Sequence, residues 1–251
     1  MVEKMSMLRS GAVALIAVVM SGCASLPFVG KPEPVRPAPA TQAADAAKKK
    51  VEAYAKVIPA RAVTDTGLFI THRVDDKLFF EIPQEALGKE MLLVTTIAQN
   101  ANGNFGGMPV GNRVLVWERR GDKILLRSPS YSIVADSANP VYRAVRAATH
   151  PPIVASFDIK AWGPDSAAVI EVTNLYTSKI GEFAPNTSGS LEKDRTFIER
   201  VVAFPENIEI EATHTYTVTP PRPAGAPANF RPTPRTESIV LHWSMIKLPE
   251  E

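Results

Sequence analysis

The chain has one cysteine in 251 residues, Cys23, so no disulfide forms within it and the fold must stand on its core. Histidine is also scarce. The four, His72, His150, His214 and His242, lie far apart in the chain, and no H-E-x-x-H occurs. A helical hydrolytic zinc site needs two imidazoles one turn apart so that both face one ion, and that arrangement is excluded. His214 falls on the apolar side of an alternating segment and reads as a hydrogen-bonded core residue rather than a ligand. No G-x-S-x-G elbow presents a nucleophilic serine. We therefore assign no catalytic residue, no metal ligand and no cofactor-binding residue from the sequence. Charge of one sign is not in excess either, with 28 Lys and Arg against 26 Asp and Glu. A nucleic-acid partner would call for a clustered basic face, so this balance argues against that function class.

What is present begins at the N-terminus. Lys4 and Arg9 precede an uncharged run from Gly11 to Met20, and Ser21-Gly22 leads into Cys23. Charged, apolar, then small is the order of a secretory signal. The run is ten residues long, and crossing a hydrocarbon core takes roughly 20 residues of helix, so it engages export without spanning a bilayer. Met20-Ser21-Gly22-Cys23 resembles the lipobox of bacterial lipoproteins, with methionine in place of the usual leucine. The resemblance implies cleavage after residue 22 and lipidation of the Cys23 thiol, with acyl chains such as palmitate holding the protein to the membrane. Each buried methylene contributes about 0.8 kcal/mol of membrane affinity. Ala24 follows where an aspartate would signal inner-membrane retention, so the expected location is the bacterial cell envelope, at the periplasmic or surface face of the outer membrane. The alternative reading is an ordinary secretory peptide with a bystander cysteine.

Residues 23–65 read as a tether. Prolines at 27, 32, 34, 37 and 39 make an extended, solvated spacer, and 43–58 (AADAAKKKVEAYAKVI) form a short helix by the spacing of Val51, Tyr54, Ala55 and Ile58. From 66 to 251 the pattern predicts one mainly β domain of antiparallel, sandwich-like sheets with one or two short helices. NIEIEATHTYTV (207–218) alternates strictly, which puts its two residue sets on opposite faces of a strand. IVASFDIKAW (153–162) and AAVIEVTNLY (167–176) form an antiparallel pair about Gly163-Pro164-Asp165. Two more hairpins turn at Asp75-Asp76 and at Arg120-Gly121-Asp122, where Gly121 supplies a positive φ. MLLVTTIA (91–98) and SIVLHWSMI (238–246) carry apolar residues on both faces and predict centrally buried strands. NPVYRAVRAA (139–148) predicts a helix opened by Asn139 and Pro140.

Several motifs have plain structural readings. The glycine-rich NANGNFGGMPVGN (100–112) precedes a strand, not the helix that a phosphate cradle requires, and reads as an inter-strand loop. Arg120-Gly121-Asp122 is explained by its turn, and Asn186-Thr187-Ser188 is an incidental glycosylation triplet. Adjacent Asp75 and Asp76 point apart. The segment PPRPAGAPANFRPTPRTE (220–237), with six prolines, is either a mobile surface excursion or a partner-binding loop.

Taken together, GLFITHRVDDKLFFEIPQEALGKEMLLVTTIA, RVLVWERRGDKILLRSPSY, HPPIVASFDIKAW, RTFIERVVAFPENIEIEATHTYT and HWSMIKLPEE resemble the N-terminal, non-catalytic region of large bacterial zinc-dependent metalloproteases of metzincin-like type. The resemblance covers residues 66 to 250 in matching order. In that family a β-rich domain of uncharacterised role precedes a zinc domain bearing H-E-x-x-H-x-x-G-x-x-H. None of its ligands, nor its catalytic glutamate, has a counterpart here, so zinc belongs only to the family's catalytic domain. The resemblance implies a non-enzymatic accessory or substrate-positioning module, a fragment or split-gene product whose partners are the membrane and a metallopeptidase domain in trans or its peptide substrate. The competing expectation is a free-standing envelope lipoprotein that binds a peptide, glycan or envelope protein through the 100–112 or 220–237 loop.

Overall fold

Alternation of apolar and polar residues commits most of the chain to strands, and the computed structural model pairs these strands into one sheet. It describes residues 51–101, 106–185 and 189–249. Cys23, the signal segment, the proline spacer, the first half of the helix expected over 43–58 and the Asn186 triplet lie outside the described residues. The strands are β1 Val63–Thr66, β2 Ile70–Val74, β3 Lys77–Ile82, β4 Glu90–Asn100, β5 Met108–Arg120, β6 Lys123–Arg127, β7 Ile153–Trp162, β8 Ala168–Glu171, β9 Ser190–Leu191, β10 Phe197–Phe204, β11 Asn207–Val218 and β12 Arg235–Lys247. Three short helices interrupt them: α1 Tyr54–Val57, α2 Tyr142–Ala148 and α3 Thr173–Thr177. The order across the sheet is β1-β2-β3-β8-β7-β6-β5-β4-β12-β11-β10, with β9 added beside β11. Every one of these pairs is antiparallel.

The sheet curls. Register shifts interrupt five of its ladders, at Thr95/Thr96, Leu126/Arg127, Ile159/Ala161, Ile198/Arg200 and Val240/Leu241, and each such bulge bends its strand and strengthens the twist. Curling brings opposite walls into contact. Phe80 of β3 meets Trp117 of β5 edge-on at 6.1 Å, and Tyr176 of α3 bridges Phe80 at 6.2 Å and Trp243 of β12 at 5.3 Å. The packed layers expected of a sandwich are thus supplied by a single sheet folded over one core, and the mainly β, antiparallel class is observed. Trp243 also donates its indole N–H to the Phe183 carbonyl at 2.7 Å, so a polar atom enters the core satisfied.

The two ends of the sheet meet along a seam. Leu68 N donates to Phe204 O at 2.7 Å, Ala203 N donates to Asp65 Oδ2 at 2.9 Å, and the Arg73 guanidinium donates to the carbonyls of Ile198 and Glu199 at 2.9 and 3.0 Å. Gly67 makes this approach possible, because a Cβ there would lie 2.4 Å from Phe204 O.

Local readings hold where side-chain period alone decides. β7 and β11 occupy the spans that the alternation gives, and Gly121 has φ 61° in its turn. Asn139 serves its helix differently from a simple cap: its Oδ1 accepts from Val141 N at 3.0 Å, and α2 starts only at Tyr142. Two expectations fail. Residues 172–176 leave the strand, because Thr173 Oγ1 accepts from Leu78 N at 3.0 Å and the chain turns into α3, burying Leu175 and Tyr176. β4 and β12 are central but buried on one face only. Met91, Leu93, Leu241, Trp243 and Met245 point inward, whereas Leu92, Val94, Val240 and Ile246 are half-buried on the convex side. The curled sheet has one interior, and the described residues place no second layer over this part of its outside.

Candidate functional site

The polar residues that stand out chemically are largely used inside the fold. His214 is fully buried on β11; its Nε2 lies 2.7 Å from Tyr176 O and its Nδ1 3.2 Å from the Tyr216 hydroxyl. A carbonyl only accepts, so Nε2 carries the proton and Nδ1 accepts from the phenol. Burial pushes the pKa of this ring down, opposed by the Tyr176 carbonyl, so it stays neutral in the core. The core-histidine expectation is met.

His72 sits on the outer face of β2 and is buried with Glu81 of β3 beneath α1. Its Nε2 lies 3.1 Å from Glu81 Oε2 and its Nδ1 2.8 Å from Thr64 Oγ1. Tyr54 of α1 closes the cluster by donating to Glu81 Oε2 at 2.7 Å. Burial first, and then Glu81, push the Tyr54 phenol up to about 12, so it remains a donor rather than becoming a nucleophile. Around this cluster Ile58, Val74, Phe79, Ala161 and Val169 form a small second core, joined by Tyr54, Val57 and Ala62. The arrangement is a strap that ties residues 52–62 to the outside of the sheet.

His242 of β12 lies between two carboxylates of β11, with Nε2 2.7 Å from Glu209 Oε2 and Nδ1 3.2 Å from Glu211 Oε1. The carboxylates occupy different ring nitrogens and do not converge on one point. Among the described residues, no three of His, Cys, Asp and Glu group as metal ligands, and no helix is long and apolar enough to cross a membrane. His150 accepts from Arg127 Nη1 at 3.4 Å; the same nitrogen donates to Pro151 O at 2.9 Å, and Nε pairs with Glu118.

That arginine anchors the feature which stands furthest from a self-contained fold. Between β6 and β7 the chain makes a 25-residue excursion (128–152), pinned at its base by Ser128 N to Pro152 O at 3.2 Å and by Arg127. Its helix α2 buries none of its residues. Ile133 and Val134 are 66% and 68% exposed, and Tyr131 and Val141 are each 50% exposed. The Tyr131 hydroxyl bonds Glu90, and burial together with that carboxylate pushes the phenol up to about 12. The bond holds the aromatic ring beside the uncovered face of β4 and β5, where a groove of about 500 Å³ is lined by Leu92, Val114, Tyr131 and Pro152, with Arg113 and Glu182 among its polar residues. Leu92 is in register with Val114 on one side and Ile246 on the other, so one row of the convex face is apolar across three strands. Contiguous exposed apolar surface of this kind marks interaction sites more often than free surface. Sequence reading missed it because apolar residues on both faces of a strand signal burial without saying by what.

The proline-rich connection after β11 is exposed over most of 219–234, with Phe230 held by its N–H to Pro227 O at 2.9 Å. Of the glycine-rich segment, residues 102–105 lie outside the described part; Asn100 ends β4 and β5 begins at Met108, so the strand expected after the segment starts inside it and takes up 108–112.

Comparison with known families gives two matches. The sequence model for a domain of unknown function, DUF5117, matches residues 107–251, and that for a second domain of unknown function, DUF5118, matches residues 51–100. No curated protein and no solved structure matches the chain. The two matched segments do not fold side by side: residues 51–100, matched by DUF5118, contribute α1 and β1 to β4, and residues 107–251, matched by DUF5117, contribute β5 to β12. Because β3 pairs with β8, and β4 lies between β5 and β12, the two are interleaved in one sheet.

Proposed function

We propose, from the premise that the chain belongs to the family of the domain of unknown function DUF5117, that it is a non-catalytic accessory module that packs against a zinc metallopeptidase domain and positions that domain or its substrate. The observation that carries this reading is the uncovered apolar surface made by the 128–152 excursion and the convex row Val114, Leu92 and Ile246. A peptidase domain is the occupant favoured by the resemblance of residues 66 to 250 to the region that precedes such domains. Lipidation at Cys23, through the lipobox-like Met20-Ser21-Gly22-Cys23, would hold the module at the outer membrane. The reading assigns the chain no cofactor and no nucleic-acid partner.

The test is co-expression of the full chain with a separate polypeptide bearing an H-E-x-x-H domain of this type, followed by detergent extraction and affinity retention. The partner should be retained by the wild-type chain. The double variant Ile133→Asp with Val134→Asp should weaken retention at least about tenfold, as loss of central apolar anchors does. Its melting temperature should not move, because both side chains are mostly exposed. A wild-type chain that retains nothing, or a double variant that retains as much as wild type, overturns the reading.

A further inference from the structure

A second surface, on the other side of β10 from its pairing with β11, has a different chemistry. Between α3, the 193–195 turn, the β2–β3 turn and the start of β10 lies a cleft of about 300 Å³, at the small end of the ~300–1,000 Å³ typical of ligand pockets. Its framework is immobilised. Thr177 Oγ1 donates to Thr173 O at 2.9 Å, Thr196 Oγ1 donates to Glu192 O at 2.8 Å, and Arg73 is committed to the seam carbonyls. Four further polar side chains on its wall, those of Asp76, Asn174, Lys193 and Asp194, form no hydrogen bond or ion pair with the described residues. Beside them Phe197, the first residue of β10, leaves its side chain 52% exposed.

We infer that this cleft binds a neutral carbohydrate. Three properties select that class. First, the charged residues balance, Arg73 and Lys193 against Asp76 and Asp194, so neither an anion such as phosphate nor a free cation gains from the field. Second, the unpaired groups offer both donors and acceptors: carboxylates accept, an ammonium donates, and the Asn174 amide does both. Neighbouring hydroxyls of a sugar each need one of either kind, whereas a peptide backbone would look for a strand edge. Third, an exposed ring beside such groups is costly to leave in water and matches the apolar C–H face of a pyranose. The threonine hydroxyls, with their protons directed inward, add fixed acceptors at the floor. This inference does not rest on the peptidase reading, since the cleft shares no lining residue with the excursion or the convex groove.

Calorimetric titration of the full chain in detergent with tri-N-acetylchitotriose and, separately, maltotriose tests it; the two arms distinguish an N-acetylated envelope glycan from a plain glucan. Saturable binding of either is expected. Phe197→Ala and Asn174→Ala, both at exposed positions and so expected to fold, should each weaken it at least about tenfold, while Phe197→Trp should retain it. The inference is overturned if neither trisaccharide binds, if the binding is indifferent to Phe197→Ala and Asn174→Ala, or if inorganic phosphate competes for the same residues.

Discussion

Replacing Gly163 by alanine isolates one contact in the strap and gives it a magnitude. Gly163 has φ −81° and ψ −173°, an extended conformation that any residue adopts, so alanine brings no backbone strain. The obstacle is steric: a Cβ at this position would lie 2.0 Å from Glu81 Oε1 and 2.5 Å from Glu81 Cδ. Ordinarily the tip of a glutamate would swing aside. Glu81 is 2% exposed and its Oε2 is held by Tyr54 at 2.7 Å and lies against His72 at 3.1 Å, so moving it breaks bonds to an acceptor that no water replaces. Leaving a buried donor unsatisfied costs about 1–3 kcal/mol, and overpacking a buried site costs about 1–3 kcal/mol. Losing one bond to Glu81 with partial relaxation predicts a destabilisation of about 3 kcal/mol, or roughly 6–12 °C in Tm for a domain of this size. Equilibrium urea unfolding followed by tryptophan emission measures it. Gly111→Ala, where no atom lies within 4 Å of the new methyl, is the control and should change stability little. The decisive comparison is a double-mutant cycle with Glu81→Ala. If the clash is the cause, Gly163→Ala should cost almost nothing once the carboxylate is gone. Additive costs, or a Gly163→Ala variant as stable as wild type, would refute the reasoning.

Two further outcomes follow from groups already described. Burial lowers the folded-state pKa of His214, so the unfolded chain takes up a proton that the folded chain refuses. Stability from this group is complete above about 6.5, the unfolded imidazole value, and falls as the pH drops from there toward the lower folded value, by at most ~1.4 kcal/mol per pH unit. Urea midpoints at pH 7.5 and 5.5 should therefore differ more for wild type than for His214→Gln, and equal differences would remove His214 from the account. At the other end of the chain, Cys23→Ser should move the full chain from the detergent phase to the aqueous phase in a Triton X-114 partition and abolish incorporation of labelled palmitate; an unchanged partition would exclude the thiol as the anchor.

How much was legible in the sequence depended on whether the deciding interaction was local. The ends of β7 and β11, and the turns at Asp75 and Gly121, are set by the period of the strand and by the φ that a tight turn demands, and both are written in adjacent residues. α3 was not legible. Residues 172–176 continue directly from a strand, and the turn away depends on Thr173 meeting the backbone of Leu78, 95 positions earlier. The strap cluster likewise joins Tyr54, His72, Glu81 and Gly163, and the cleft joins residues 73–76, 173–177 and 193–198, stretches whose local patterns say nothing of one another. His214 was legible because its place on an apolar face decides its role before its partners are known. The convex surface was half legible: the apolar residues were visible, but the curl that turns one face of β4 and β12 outward comes from bulges spread over several strands.

The seam between the first strands and β10 has a consequence for how the chain behaves at high concentration. A sheet with two open borders is a template on which a neighbour's backbone can add, and growth of that kind ends in aggregates. Here Leu68, Asp65 and Arg73 occupy main-chain groups of β10 that would otherwise recruit a foreign strand, so the molecule caps its own polymerisation site, and the side chains of two residues guard its solubility as much as its shape.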